Sequence, residues 1–401
     1  MIHQQKLVLI GVTFAHSLSH AFVMTFPALL PFIQESFVLT SYTELGLLPG
    51  ILLVTYGLTT FPSGILSDAV GITRVLTVYL VILAICSFML LVVTTFTVLL
   101  VLVGVIGLTA GLYHPPGLSL ISQSFSSDDL GKFFGAHGIS GNIGVAIAPG
   151  IAVFIASTKY GWQYALLPFG LFSLFAIPLF LALPLQPEST SHHQNRSKLI
   201  NSLDSQFDAE NPPVIYIHPL IVIFAISTLV GLIDRGLISF LAVYLVDARY
   251  YTHATAGFII SGIFLIAITS QIAFGMFADS IGPMTAFRIA AIVITLFFFL
   301  IPFVPGTVLL IVLTIAAFAI TGTQPPLNIL TTSVSPLEKR GTIFGFQFTA
   351  VFGFGGIAGF LAGIIASLFG LEVIYLVLSG FGALLLILLL IYPRWAPTPT
   401  Y

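Results

Sequence analysis

The sequence predicts an all-α membrane protein with twelve transmembrane helices, arranged as two six-helix halves related by a parallel repeat. Three observations predict it. Of 401 residues, 58% are hydrophobic and only 6% are charged, whereas a water-soluble domain carries about 25% charged residues. The apolar residues fall into twelve runs, each long enough for the ~20 residues that cross a hydrocarbon core as helix. Landmarks of the first half also recur in the second at nearly constant offset. A β-barrel is excluded, because its strands are short and alternate in polarity, whereas the runs 78–93 and 384–391 are apolar on every face.

Each run can be justified in turn. The first, 7–33, follows Lys6 directly; it is too long for a signal-peptide core and lacks a small-residue cleavage site, so it is expected to stay in the mature chain. Spans 44–67 and 73–94 are separated by a turn carrying Gly64, Asp68 and Gly71. Span 97–122 contains Pro115-Pro116, span 133–157 is rich in glycine and alanine, and span 161–184 closes the first half. Residues 186–216 then break the apolar pattern with His192, His193, Arg196, Lys198, Asp204, Asp208, Glu210 and the pair Pro212-Pro213, as a linker does. Span 217–246 carries Asp234 and Arg235, and 255–279 meets 284–303 at Gly275, Asp279 and Gly282. Span 306–332 holds Pro325-Pro326, and 342–368 and 371–392 complete the second half. The expected division is residues 1–185, the linker 186–216, and residues 217–401.

The repeat keeps its register. Gly64, Asp68 and Gly71 recur as Gly275, Asp279 and Gly282 at an offset of 211. At an offset of 210, Phe14-Ala15 recurs as Phe224-Ala225, Pro115-Pro116 as Pro325-Pro326, Gly131 as Gly341, and Phe134-Gly135 as Phe344-Gly345. Orientation follows from Lys and Arg, which cytoplasmic loops retain. With the N-terminus inside, Lys6, Arg74, Lys132, Arg196, Lys198, Arg288, Lys339, Arg340 and Arg394 are cytoplasmic, leaving Lys159 and Arg249 outside. Both termini and the linker are therefore expected in the cytoplasm of a multi-pass protein of the cell membrane.

Composition also excludes functions. A net charge of −2 offers no cationic face for nucleic acid. One cysteine, Cys86, rules out a disulfide framework or a cysteine-based metal cluster. No phosphate-cradling Gly-x-x-x-x-Gly-Lys-[Ser/Thr] run is present, so ATP is not the expected energy source.

The duplicated Gly-Asp-Gly loop resembles that of the major facilitator superfamily, and the resemblance spans the whole chain. It implies alternating access between two rocking halves, with Asp68 and Asp279 in cytoplasmic gates. The glycines fit such a loop physically, Gly64 and Gly275 by close helix approach and Gly71 and Gly282 by a sharp turn. The chain departs from the usual loop by placing Ala69 and Ser280 where a basic residue follows the acid, which leaves Arg74 and Arg288 as substitutes. Ser17-Leu18-Ser19-His20, Tyr113-His114-Pro115-Pro116-Gly117 and the run from Gly138 to Pro149 together resemble the fosmidomycin-resistance-like branch of drug exporters. Gly135, Gly144, Ala148-Pro149 and Ala152 resemble the antiporter pattern of the fifth helix; small residues there allow tight packing and Pro149 allows a bend.

Ionisable side chains within a span are functional candidates by default. Here they are His16, His20, His114, His137, Asp234 and Arg235. His16 and His20, four residues apart, share a helix face. Asp234 and Arg235 point roughly 100° apart, so each is expected to need its own partner, with His20 and Asp234 able to meet across the centre. The resemblance places spans 1, 4, 7 and 10 around a central cavity, which makes His16, His20, Tyr113, His114, Asp234, Arg235, Gln324 and Asn328 the expected pathway for solute and protons. Tyr56, Asn142, Gln271 and Gln347 are further lining candidates. His16 and His20 have metal-ligand spacing, but no third ligand is assigned, so neither a metal nor a cofactor is expected.

The expectation is thus a non-enzymatic secondary transporter, functional as a monomer in the bilayer, that exports a small organic solute or drug, with anionic solutes included, against protons. Arg235 has a charge that cannot be shed, and the second reading is an organic-anion importer or facilitator without proton coupling, with Arg235 as the anion anchor. A transporter-derived membrane sensor is a third reading.

Overall fold

The computed structural model describes residues 3–125, 130–183, 217–335 and 340–391. Among them there are no strands, and twelve helices are long and apolar enough to span a membrane. They are α1 (Gln4–Ser36), α2 (Tyr42–Val70), α3 (Ile72–Val92), α4 (Phe96–Ser124), α5 (Lys132–Ala156), α6 (Trp162–Leu181), α7 (His218–Ala248), α8 (His253–Ile281), α9 (Pro283–Phe303), α10 (Gly306–Ser333), α11 (Thr342–Phe369) and α12 (Leu371–Ile391). Every expected span is present, with ends displaced by a few residues. The expected linker and the last ten residues lie outside the described residues.

Local chemistry sets the boundaries. Side-chain oxygens of Ser41, Thr95 and Thr252 accept from Thr43, Val98 and Thr255 amides and start α2, α4 and α8. Gly71 (φ 94°) and Gly282 (φ 87°) adopt the positive φ that lets α2 turn into α3 and α8 into α9. Both α4 and α10 are interrupted midway and restart with the proline pair in the first turn, where the missing N–H has no helical partner to lose. The break thus recurs in both halves.

The apolar residues are arranged for lipid. Side chains such as Phe22, Phe26, Tyr79 and Phe298 are buried between helices, while Val78, Ile85 and Met89 on α3 and Ile387 and Leu390 on α12 lie on the surface. Such exposure would drive aggregation in water and is ordinary in hydrocarbon.

The halves meet through α2 on α11 and α5 on α8. Small residues make this possible: a Cβ on Gly57 would overlap the backbone of Gly353, and one on Gly359 would lie 2.6 Å from the Gly50 nitrogen. Between α5 and α8, the Gly150 amide donates to Ser261 Oγ at 2.7 Å. One end of the bundle is further tied across the halves. Tyr42 donates to Asp247 (2.9 Å), His253 Nε2 lies 3.4 Å from Glu35, and the amide and hydroxyl of Thr43 reach Ser367 Oγ at 2.9 and 3.0 Å. At the opposite end, Asp68 and Asp279 are exposed.

Candidate functional site

A ring of aromatic and ionisable side chains lies buried where α1, α4, α5, α7 and α11 converge. His16 stacks on His137 of α5 (ring centroids 3.9 Å apart, 8° between planes) and on Tyr113 (5.2 Å). Gly141 makes this possible, since a Cβ there would overlap the His16 ring. The hydrogen-bond chain fixes the protons in the neutral rings. His16 Nδ1 reaches the His137 carbonyl at 2.7 Å; a carbonyl only accepts, so the proton is on Nδ1 and Nε2 carries the lone pair. His20 Nε2 therefore donates to His16 Nε2 at 3.1 Å. Tyr113 donates to the Val12 carbonyl and so accepts from His137 Nε2 at 3.0 Å.

His114 completes the cluster. Its ring lies 5.0 Å from that of His16 and 5.4 Å from that of His20. Three helix-borne imidazoles therefore meet, and the third partner that sequence spacing left unassigned is His114. Its proximity comes from the break in α4, which turns the first residue of the restarted helix inward.

The second half contributes Arg235 and α11. Asp234 and Arg235 correct the expectation of separate partners: Arg235 Nη2 pairs with Asp234 Oδ2 at 3.0 Å. The long guanidinium chain bends back over the angle between adjacent helical positions. His20 likewise donates to His16 rather than meeting Asp234. The guanidinium carbon of Arg235 sits 4.8 Å from the centre of the Phe352 ring, and the same ring faces Tyr56 (5.1 Å) and His114 (5.7 Å). Arg235 Nε, Tyr56 Oη and His114 Nε2 are buried without a hydrogen-bond partner. Three unmatched polar atoms around one aromatic ring form a place where a polar ligand would be held.

Other expected residues distribute more widely. Gln347 donates to Asn328 at 2.9 Å, while Gln347 Oε1 is buried without a partner. Gln324, Gln271 and Asn142 are half-buried. Tyr113 is fully buried beside the histidines, its hydroxyl engaged by Val12 and His137. At Gly144 a Cβ would overlap the Ser17 carbonyl, and Pro149 lies within α5. Gly135 and Gly275 have open space where a Cβ would be, and at Gly64 it would meet Pro115 at an ordinary 3.5 Å, so close approach does not explain these three. Arg74 and Arg288, the substitutes for the missing basic residues of the loops, donate here to the carbonyls of Val70 and Leu389.

Phe348 and Phe352 were not legible as site residues. A π-helical stretch, Thr349–Phe354, shifts the phase of α11 there, and such bulges concentrate at functional positions. A pocket of about 360 Å³ at the tied end is lined by Glu35, Asp247 and His253 and contains none of the expected pathway residues.

The Major Facilitator Superfamily profile matches residues 12–360. The chain belongs to this superfamily. It is 23% identical over 385 residues to a "Probable hexose phosphate transport protein" of Chlamydia trachomatis, covering 88% of this chain and 82% of the relative, and 20% identical over 388 residues to the Chlamydia pneumoniae protein of the same name (88% and 83%). Among solved structures, a D-xylose-proton symporter superposes with a TM-score of 0.80 at 14% identity, covering 98% of both chains. A bacterial homologue of the human lysosomal transporter Spinster, inward-facing and occupied, gives 0.79 at 15% identity, also with 98% of both covered. The fold is thus that of this superfamily. The chain is a multi-pass integral membrane transporter, not an enzyme.

Proposed function

We propose that the protein carries a small organic anion across the cell membrane by alternating access, rocking residues 1–185 against 217–401 about the ring at Phe352. The observation that carries this reading is Arg235, a permanent cation buried beside two other unmatched polar atoms, Tyr56 Oη and His114 Nε2. A buried guanidinium with an unused N–H is suited to carboxylate or phosphoryl oxygens. The names of the chlamydial relatives favour a phosphorylated solute. The orientation read from Lys and Arg puts the termini in the cytoplasm and the tied end outside.

The fifth-helix pattern and the first-half motifs support export against protons, with Asp234 as the proton carrier. It lies near the middle of a central helix and has no acidic counterpart at the repeat-related Met24. Release of its proton strengthens the pair with Arg235 and thereby competes with an anion for the same guanidinium. A second reading, import of a sugar-phosphate-like anion, is favoured by the relatives' names.

Proteoliposomes with an imposed pH gradient, screened over sugar phosphates, phosphonates, organic acids and cationic drugs, test these readings. Counterflow of an anion against protons is expected for the exporter, and gradient-independent anion flux for a facilitator. Asp234→Asn is expected to abolish pH-driven accumulation while sparing exchange between compartments of equal pH. Full pH-driven transport by that variant removes Asp234 as carrier, and selective flux of cations removes the anion reading.

A further inference from the structure

We propose that His16, His20 and His114 form a binding site for a resident divalent transition-metal ion, which would occupy the His114 Nε2 that the solute reading above counts among its unmatched atoms. Their ligand nitrogens lie within 4.8 Å of one another, and the His16–His20 pair is already at 3.1 Å. Zinc–imidazole bonds of about 2.0–2.1 Å in a tetrahedron bring nitrogens to roughly 3.4 Å apart, so modest ring rotations close the site.

Two further observations point to a ligand. His16 donates its Nδ1 proton to the His137 carbonyl and is wedged between the His137 ring and Gly141, which directs the Nε2 lone pair toward the other two rings. A carbonyl behind a histidine is the arrangement that orients metal-bound imidazoles. His114, only 6% exposed, leaves Nε2 buried and unpartnered in the same cluster. Buried imidazole nitrogens are normally satisfied, and a metal would satisfy this one while replacing the weak His20–His16 bond.

The donor set selects the ion. Three neutral imidazoles without a thiolate suit Zn²⁺, Co²⁺, Ni²⁺ or Cu²⁺ and offer little to Mg²⁺ or Ca²⁺, which need oxygen ligands. The cation of the neighbouring half, Arg235, is itself paired with Asp234. All three ligands come from α1 and α4 of one half, so the site stays assembled while the halves move. That makes the ion a fixture rather than the cargo, with its fourth position left to water or to a solute oxygen.

Purified full-length protein in detergent, stripped with chelator and titrated with Co²⁺, gives the test. The expected result is one Co²⁺ per chain with visible tetrahedral ligand-field bands, displaced by Zn²⁺ and not by Mg²⁺. His20→Gln and His114→Gln are each expected to weaken binding by more than about tenfold, whereas His253→Gln, far from the cluster, leaves it unchanged. Should His114→Gln fail to fold, a zinc-induced rise in the thermal midpoint that is lost in His20→Gln supplies the same reading. Absence of the bands, or bands that persist in both variants, overturns the site. Solute flux measured in the presence of chelator reports separately on the transport reading.

Discussion

Arg235 and Asp234 show how much depends on single side chains in a low-dielectric interior. Both are largely buried, and their 3.0 Å contact is the one ion pair among the described residues formed by an always-charged cation. Breaking such a pair by removing one partner leaves an uncompensated charge, at a cost of about 3–5 kcal/mol, whereas replacing both is far less costly. Arg235→Gln is therefore expected to lower the thermal midpoint in detergent, and Asp234→Asn with Arg235→Gln to recover most of the loss. Equal destabilisation by the single and double variants would show that the pair does not stabilise the fold. Three of the histidines behave differently: the His137 carbonyl places the proton of His16, the His16 Nε2 lone pair that of His20, and the Tyr113 hydroxyl that of His137.

At the level of elements, close contact between α2 and α11 rests on glycines placed opposite glycines. Gly359 and Gly363 face Gly46 and Gly50, so that backbone lies against backbone. A side chain at Gly359 has nowhere to go except between the halves. Overpacking of this kind costs about 1–3 kcal/mol, and that cost falls only on the state in which these helices touch. Gly359→Leu should therefore raise the population open at the tied end by about tenfold or more. Spin labels at Thr43→Cys and Ser367→Cys, in a Cys86→Ser background, measure this as a shift toward longer distances; an unchanged distribution would mean that α2 and α11 do not separate during the cycle.

The whole molecule is a pair of half-bundles tied at one end by Tyr42–Asp247, Glu35–His253 and Thr43–Ser367, with the loops bearing Asp68 and Asp279 exposed at the other. Nine Lys and Arg fall on one side and two on the other, which is the ground for expecting the end that bears Asp68 and Asp279 in the cytoplasm. Ser202→Cys in a Cys86→Ser background is expected to react in intact cells only with a membrane-permeant reagent. Efficient reaction with an impermeant one would reverse the topology.

The sequence by itself determined the number of spans, their order, the repeat and the turn glycines, because lipid demands long apolar runs and a positive φ demands glycine. Even small offsets in helix ends follow from caps such as Ser41 and Thr252 that can be read locally. It also named His16, His20, His114 and Arg235, since an ionisable group within a span stands out against 58% hydrophobic residues. What those groups touch was decided only in three dimensions. The pairing of Arg235 with Asp234 depends on a flexible chain that helical angles do not describe. His114 reaches His16 through a helix break and a sequence separation of nearly a hundred residues. Phe352 reaches the centre through a π-helical stretch that shifts the phase of α11, and Gly141 matters only because an imidazole from α1 rests against it. Periodicity and composition report how a segment meets its solvent; which side chains meet one another is set by helix packing, and that is fixed only when all the helices are in place.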